Sequence, residues 1–329
     1  MPDHDSFGGR SQRAFSLLDL LAAIAITALL AALLLPAVQA SQEDAQRLQC
    51  ANNLNDIGRG FASFEAANGG FPARRLFNPT GGWGPLLLPH VQQAKLGDAF
   101  KFTHDFYDPI NKAVAETPVS LFLCPASPKR TVPISATASG NSLNPDKDTT
   151  YSVDAAANDY ISSNGFLMPT TGYGINWPLA RRQGTNRHQP MDDNTYLPLS
   201  LITDGLSQTL LLVEQAGRPQ VWRLGKLANK TDPMNLGRNS RGTWAGFGSI
   251  AFRPCNREDG YSFDDSQGDL MTCSVNCNNG QGIYGFHAGG AYVLFCDGSV
   301  RFMGESLDGL TFARLTMRDD GQLIAAGDY

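Results

Sequence analysis

Six cysteines are the side chains in this sequence best suited to covalent cross-linking or metal binding. They are Cys50, Cys124, Cys255, Cys273, Cys277 and Cys296. All six follow a long apolar N-terminal segment. An even number of cysteines beyond a membrane is typical of disulfide bonding, with Cys50–Cys124 and Cys273–Cys277 as candidate pairs. Buried free thiols are the alternative. Zinc is not expected, because paired Cys-x-x-Cys motifs are missing and the five histidines are scattered.

A second candidate site lies near the C-terminus, where nine residues separate His287 from Asp297 and Gly298. In one interpretation, His287 and Asp297 meet across the base of a hairpin and bind a ligand, a cation or a neighbouring subunit. In the other, Asp297 and Gly298 form the hairpin turn, and His287 donates a hydrogen bond that fixes the preceding Gly-Gly bend. The structural interpretation is favoured, because Asp-Gly turns are common.

Acidic residues crowd the segment 258–269, and calcium prefers such oxygen ligands. The weak calcium candidates are Asp264, Asp265 and Asp269. Their spacing matches no EF-hand, so a solvated acidic loop is the preferred interpretation and no cofactor is expected. The Gly-x-Gly-x-x-Gly pattern at 280–285 lacks the strand and helix that a dinucleotide site needs. Without a nucleophile elbow, HExxH or P-loop motif, the sequence predicts that the protein is not an enzyme.

One acidic side chain, Asp19, lies inside an apolar run of 24 residues at 15–38. As a helix this run spans about 36 Å, enough to cross a hydrocarbon core of about 30 Å. A carboxylate at that depth is costly unless it has a partner. The run is either a cleaved secretory signal that ends at Ala40, an uncleaved signal anchor, or a segment cut after Ala14. The third alternative makes Phe15 the new N-terminus, whose α-ammonium group can pair with Asp19 of a neighbouring subunit.

The segment from Ala14 resembles the cleavage and methylation motif of type IV prepilins and type II secretion pseudopilins. Their pattern is Gly-Phe-Thr-Leu-(Val or Ile)-Glu-Leu-Leu, and residues 14–21 here are Ala-Phe-Ser-Leu-Leu-Asp-Leu-Leu. The resemblance implies cleavage by a prepilin peptidase, methylation of Phe15, and bundling with other pilin-like subunits in membrane lipid. Pro36 takes the place where many pilins carry a helix-kinking proline. Ala14 and Asp19 depart from the family's glycine and glutamate.

The helix is predicted to continue beyond the apolar run. A further apolar face repeats at spacings of four and three, which is typical of a helix. Its members are Cys50, Leu54, Ile57, Phe61 and Phe64. Glycines at 69 and 70 and a proline at 72 then end the helix. We therefore expect one helix from about residue 15 to about residue 68. Two helices joined near residue 40 are the alternative.

Short apolar runs separated by turn residues follow the helix. Strand-like runs lie at 119–124, 209–213, 291–296 and 299–303, and a short helix is predicted at 307–317. The polar segment 131–150 predicts a long exposed loop. The fold class is therefore α+β, with a long N-terminal helix packed on a mostly antiparallel sheet.

Four regions follow from these patterns. A leader occupies 1–14, a transmembrane helix 15–38, a helical stalk 39–70 and an exported β-rich domain 71–329. The stalk and later blocks resemble, in order, those of a large bacterial family of unknown function. The blocks lie at 48–72, 118–125, 158–165, 202–214 and 275–302. Members of that family have a prepilin-type N-terminus and a C-terminal His-x9-Asp-Gly motif.

The charged residues bear on two questions, nucleic-acid binding and orientation in the membrane. Lys and Arg number 26 and Asp and Glu number 31, for a net charge of −5, and the sequence contains no basic run. Nucleic-acid binding therefore has no support. Arg10 and Arg13 favour a cytoplasmic N-terminus, which places the helix in the inner membrane and the C-terminal domain in the periplasm or at the cell surface.

These observations predict a pilin- or pseudopilin-like, membrane-anchored exported protein. It would be a structural or accessory subunit of a type II secretion-like or type IV pilus-like assembly. One alternative is a single-pass anchored binding module for envelope glycans or proteins that does not polymerise. Another is an exported enzyme whose site carries no recognised motif.

Overall fold

The computed structural model describes residues 17–138, 149–166, 188–228, 241–253, 255–261, 272–322, 324, 325, 327 and 329. The chain forms two compact units, Met1–Ala45 and Gln46–Tyr329. The helices are α1 (Leu17–Asn68), α2 (Trp83–Leu87), α3 (Ala94–Ala99), α4 (Pro109–Ala115) and α5 (Gly309–Leu315). The unbroken α1 confirms the predicted long helix, and the alternative of two helices joined near residue 40 is wrong.

The N-terminal unit contains the apolar part of α1. Leucine and alanine dominate it, and both favour helix. It is the one helix among the described residues that is long and apolar enough to cross a membrane, with a mean hydropathy of 2.6 and no buried residue in its most apolar stretch. A single membrane span and a signal sequence both fit this finding. Pro36 lies inside the helix. Ala14, Phe15 and the side chain of Asp19 lie outside the described residues.

In the globular unit, residues 46–68 of α1 bury the predicted apolar face. Cys50, Leu54 and Ile57 are fully buried, as is nearly all of Phe61. Gly58 and Gly60 weaken the helix, but their lack of a side chain permits this close packing. A Cβ atom on Gly60, for example, would lie 2.4 Å from Val91 Cγ1.

Eleven strands are present among the described residues. They are β1 (Arg75–Leu76), β2 (Gly81–Gly82), β3 (Thr131–Thr137), β4 (Thr150–Ala156), β5 (Tyr160–Phe166), β6 (Leu210–Glu214), β7 (Trp222–Arg223), β8 (Lys226–Leu227), β9 (Ser249–Phe252), β10 (Gly290–Phe295) and β11 (Val300–Gly304). The main sheet has the order β11-β10-β6-β5-β9, and β1–β2, β3–β4 and β7–β8 are separate hairpins. Only β5 and β9 pair in parallel in these described sheets. The α+β class with a mostly antiparallel sheet is confirmed.

Both faces of the main sheet are covered. Leu294 of β10 belongs to the apolar cluster that contains the α1 face. Its neighbours Val293 and Phe295 belong to a second cluster, which includes Phe312 of α5. Because β6 and β10 are buried on both faces, their sequences are continuous apolar runs rather than alternating ones.

Two sequence predictions about local structure are wrong. Residues 119–124 do not form a strand, because Ser120–Phe122 is a 3-10 helical turn. A short apolar run bounded by prolines carries too little periodicity to separate the two structures. Part of the predicted loop at 131–150 is strand β3, which pairs in register with β4. Residues 139–148 lie outside the described part of the chain.

A paired carboxylate ties the start of the domain to a later loop. Asp193 Oδ1 accepts hydrogen bonds from Arg74 Nε at 2.8 Å and Arg75 Nε at 2.9 Å. Arg75 Nη2 lies 2.7 Å from Asp193 Oδ2. Burial alone would raise the pKa of Asp193, but the hydrogen bonds and charges of the two arginines hold that pKa far below its usual value.

Replacing this carboxylate should produce a pH-dependent loss of stability. A depressed pKa in the folded state means that the stabilisation is present above the pKa of the unfolded chain, about 3.9, and is lost as the pH falls further. We expect Asp193→Asn to lower the free energy of unfolding by about 2 kcal/mol at pH 7. The difference from wild type should shrink below about pH 4. Urea unfolding across pH measures both values, and a difference independent of pH would contradict this assignment.

Candidate functional site

The most unusual group of side chains surrounds a disulfide between α1 and the segment that precedes β3. Cys50 and Cys124 are bonded across 74 residues of sequence, with their Cα atoms 5.1 Å apart. Both are almost completely buried. Cys50 lies on the apolar face of α1, and Cys124 follows the 3-10 turn Ser120–Phe122.

His287 lies against this disulfide. Its Nε2 atom is 3.3 Å from Cys124 Sγ and 3.6 Å from Glu214 Oε1. The side chains of His287 and Glu214 are fully buried. The His287 ring also packs edge-on against Tyr292, with a centroid separation of 5.6 Å. A backbone bridge from His287 to Gly290 places the histidine just before β10.

Glu214 ends β6 as an acid in the middle of the core. Burial raises the pKa of Glu214 to about 8, against a hydrogen bond from the Tyr292 amide and with a contribution from the charge of Asp159. Tyr292 N donates to Glu214 Oε2 at 3.0 Å. A Cβ atom on Gly285 would lie 2.9 Å from the same oxygen, so a residue without a side chain is required there.

We call these four residues the Cys-His-Glu cluster: Cys50, Cys124, Glu214 and His287. One ligand-type atom from each lies within 4.8 Å of the others, and all four residues are buried. The donor types are two sulfurs, an imidazole nitrogen and a carboxylate oxygen. Thiolate sulfur, imidazole nitrogen and carboxylate oxygen bind zinc in proteins, but the two sulfurs here are joined in a disulfide.

A buried ion pair holds the backbone of the cluster. Asp159 Oδ2 accepts a hydrogen bond from Cys124 N at 3.0 Å. Asp159 Oδ1 accepts from Gly217 N at 3.1 Å and Ser127 Oγ at 3.2 Å, and the Arg130 guanidinium group pairs with it. Asp159 therefore fixes the position of Cys124 independently of the sulfur–sulfur bond.

A cleft of about 520 Å³ lies beside the cluster, and His287 is the one cluster residue in its lining. Tyr284, Phe286 and His287 contribute to its lining. Arg257 and Glu305 also line it and form an exposed ion pair, with Nη1 and Oε2 3.6 Å apart. The cleft gives small solutes a route to the residues around His287.

Comparison with known proteins places this site in a family. A family model described as "Protein of unknown function (DUF1559)" matches residues 39–310. The chain belongs to this family. The match contains all of the Cys-His-Glu cluster of this DUF1559 protein. No curated protein and no solved structure matches the sequence. The match does not extend to Ala14, Phe15 or Asp19, so the prepilin-type N-terminus stays a prediction.

His287 and the Asp297-Gly298 pair of the C-terminal motif flank opposite ends of β10. Asp297 and Gly298 form the turn between β10 and β11, where Gly298 has φ +86°. Asp297 Oδ1 accepts from Ser299 N at 2.9 Å. The structure therefore does not bring His287 and Asp297 together into a site. The His287 side chain contacts Cys124 and Glu214, whereas the interpretation from sequence gave it a hydrogen bond to the neighbouring glycine bend.

The other four cysteines include both a disulfide and buried free thiols, which are the two states predicted from the sequence. Cys273 and Cys277 form a second disulfide, and Cys255 and Cys296 are buried free thiols. Burial raises the pKa of the Cys255 thiol to about 12, which makes it an unreactive thiol at neutral pH. The calcium candidates Asp264, Asp265 and Asp269 lie outside the described residues.

Sequence reasoning missed Glu214 and Asp159. A signal was present for Glu214, because an acid that directly follows the buried run 209–213 must itself enter the core or end the strand. No such signal marks Asp159. Its importance follows only from four partners that lie 29 to 58 residues away from it in sequence.

Proposed function

We propose that this DUF1559 protein is a membrane-anchored, exported subunit of pilin or pseudopilin type. It acts as a structural or accessory component of a type II secretion-like or type IV pilus-like assembly. Helix α1 carries the proposal. Its first part is apolar and exposed, and residues 46–68 are the core helix of the globular unit. Such a helix can serve both as a membrane anchor and as the support of an exported domain.

The cysteine pairs support export. Disulfides persist in oxidising spaces outside the cytoplasm, and both described disulfides lie in the globular unit. Together with Arg10 and Arg13 before the apolar run, they favour a cytoplasmic N-terminus in the inner membrane and a domain in the periplasm or at the cell surface.

Assembly depends on the N-terminus in this proposal. A prepilin peptidase cuts after Ala14, and the new α-amino group of Phe15 is available for methylation. The apolar helices then bundle in the lipid through packing, and the Asp19 carboxylate pairs with the α-ammonium group of a neighbouring subunit. Because an unpaired charge in the membrane is costly, this pairing sets the register between subunits.

Intact-mass analysis of the membrane-derived full-length chain tests the cleavage. Co-expression with a prepilin peptidase should give a mature chain that begins at Phe15, with or without an added methyl group. The matched variant Ala14→Gly restores the usual residue before the cut and should be processed at least as fast. A chain that begins at Ser41 would be an ordinary secreted protein, and an uncut chain would retain only an anchor. Either result contradicts the proposal.

Crosslinking in membranes tests the role of Asp19. Asp19→Asn should leave cleavage intact and reduce crosslinked oligomers roughly tenfold or more, because an unpaired charge in the membrane costs about 2.5–3.5 kcal/mol. Asp19→Glu keeps the carboxylate and is the matched control. Equal crosslinking in wild type and Asp19→Asn would contradict a register set by this carboxylate.

The cleft beside His287 favours one alternative, a single-pass anchored binding module for envelope glycans or proteins. Its volume of about 520 Å³ falls in the range of small-ligand pockets, and aromatic residues contribute to its lining. Under this alternative the chain stays uncut and monomeric in the membrane, so the mass and crosslinking experiments separate the two functions.

A further inference from the structure

We propose that the Cys-His-Glu cluster is a binding site for a zinc-type divalent metal ion when its disulfide is reduced. The same four side chains then hold either a disulfide or a metal ion. The site does not depend on cleavage after Ala14, so it stands apart from the proposed assembly function.

The donor set is the first reason. Two thiolates, one imidazole and one carboxylate supply four ligands of the kinds that zinc binds. The four ligand-type atoms already lie within 4.8 Å of one another and belong to buried residues. Exposed acidic groups often have no bound ion, whereas all four residues of this cluster are buried.

The separations between donors are the second reason. Ligands at about 2.0–2.3 Å from a tetrahedral zinc ion lie about 3.3–3.8 Å from one another. His287 Nε2 is 3.3 Å from Cys124 Sγ and 3.6 Å from Glu214 Oε1. Both distances are edges of such a tetrahedron without any movement. Opening the disulfide lets the two sulfurs separate to a third edge of about 3.8 Å.

An unsatisfied oxygen is the third reason. Among the described residues, Glu214 Oε1 is buried and has no hydrogen-bond partner. The other oxygen of the same carboxylate accepts from Tyr292 N. A buried acceptor without a donor is costly, and a metal ion at this position would satisfy it. Oε1 is also the oxygen that lies close to His287.

The protein frame holds the donors when the disulfide opens. The Cys124 amide is bound by Asp159, and Cys50 belongs to a helix face that is buried in the core. Tyr160 Oη also donates to the Cys50 carbonyl at 3.4 Å. A cleft lined in part by Gly285 and His287 lies beside the site.

The disulfide gives way to the metal ion in two steps, reduction and then metal binding. A dithiol reductant transfers two electrons and two protons to the Cys50–Cys124 bond, which yields two thiols and one oxidised dithiol. The metal ion then replaces the two thiol protons, which pass to solvent, and binds both thiolates. Neutral His287 gives a nitrogen lone pair. The Glu214 carboxylate gives an oxygen, and the proton that the free carboxyl group holds passes to solvent.

Cobalt titration of the full-length chain in detergent tests the site. The chain is reduced with a dithiol, freed from the reductant without air, and titrated with Co²⁺ alone. We expect one Co²⁺ per chain with the intense absorption of thiolate-to-cobalt charge transfer, and no such absorption from the unreduced chain. Absence of the band after reduction, or its presence before reduction, would overturn the proposal.

Variants locate the metal. Glu214→Gln and His287→Gln each remove one ligand while keeping a side chain of similar size, and each should weaken Co²⁺ binding at least tenfold. Cys50→Ser should abolish the charge-transfer band of a bound dithiolate. If circular dichroism shows that Cys50→Ser does not fold, the glutamine variants decide the outcome.

The second cysteine pair is the matched control. The double variant Cys273→Ser, Cys277→Ser should bind Co²⁺ as the wild type does. A band that persists at full affinity in both glutamine variants, or that vanishes only in this control, would assign the metal to other thiols and overturn the proposal.

Discussion

Asp159→Asn is expected to lower the free energy of unfolding of the globular unit by about 3–5 kcal/mol. Asp159 and Arg130 form a buried ion pair, with side chains 0% and 4% exposed. Removing the carboxylate charge leaves a buried guanidinium group without its counter-ion. It also weakens the hydrogen bonds that Asp159 accepts from Cys124 N and Gly217 N. Urea unfolding of the full-length chain in detergent, followed by tryptophan fluorescence, measures the change.

An exposed ion pair in the same molecule gives the control. Asp56 and Arg59 lie 2.9 Å apart on α1, with side chains 55% and 81% exposed. Water and salt screen such a pair, so Asp56→Asn should change the free energy of unfolding by less than about 1 kcal/mol. Similar losses in both variants would show that burial does not determine the contribution of Asp159.

Removal of the Cys50–Cys124 bond is the second change with a large expected effect. The double variant Cys50→Ala, Cys124→Ala should lower the free energy of unfolding by about 4 kcal/mol in the presence of a metal chelator. The bond closes a loop across a sequence separation of 74 residues, and a longer closed loop restricts the unfolded chain more strongly. The same urea experiment under non-reducing conditions measures the loss.

The other disulfide is the matched control for this prediction. Cys273 and Cys277 are only four positions apart in sequence, so their bond removes much less freedom from the unfolded chain. The variant Cys273→Ala, Cys277→Ala should lose about half as much stability or less. An equal or larger loss would contradict an effect that arises from loop closure.

Local periodicity made much of the fold predictable. The spacing from Cys50 to Phe64 identified the buried face of α1, and all five residues of that face are buried in the core. The runs around Asp297 and Gly298 predicted the β10–β11 hairpin, because an Asp-Gly pair favours a tight turn at that position. These predictions depend on residues that are neighbours in sequence.

The candidate site could not be predicted in the same way. His287 and Cys124 are in contact across 163 residues of sequence, and no local pattern encodes that contact. The less favoured interpretation, in which His287 pairs with Asp297, used sequence proximity, but an extended strand carries its two ends far apart. The acid at the end of the 209–213 run was visible, yet its partner could be found only once the sheet order was known.

The sheet order also bears on how the domain reaches its native state. Central strand β6 pairs with β5 before it and with β10, whose first residue is Gly290. Contacts of such long range close late, because the chain between them loses conformational freedom first. The core of the domain therefore cannot close until residue 290 and its neighbours are available. Until then, Cys50 and Cys124 lie in an incomplete core, where their thiols are accessible to solvent.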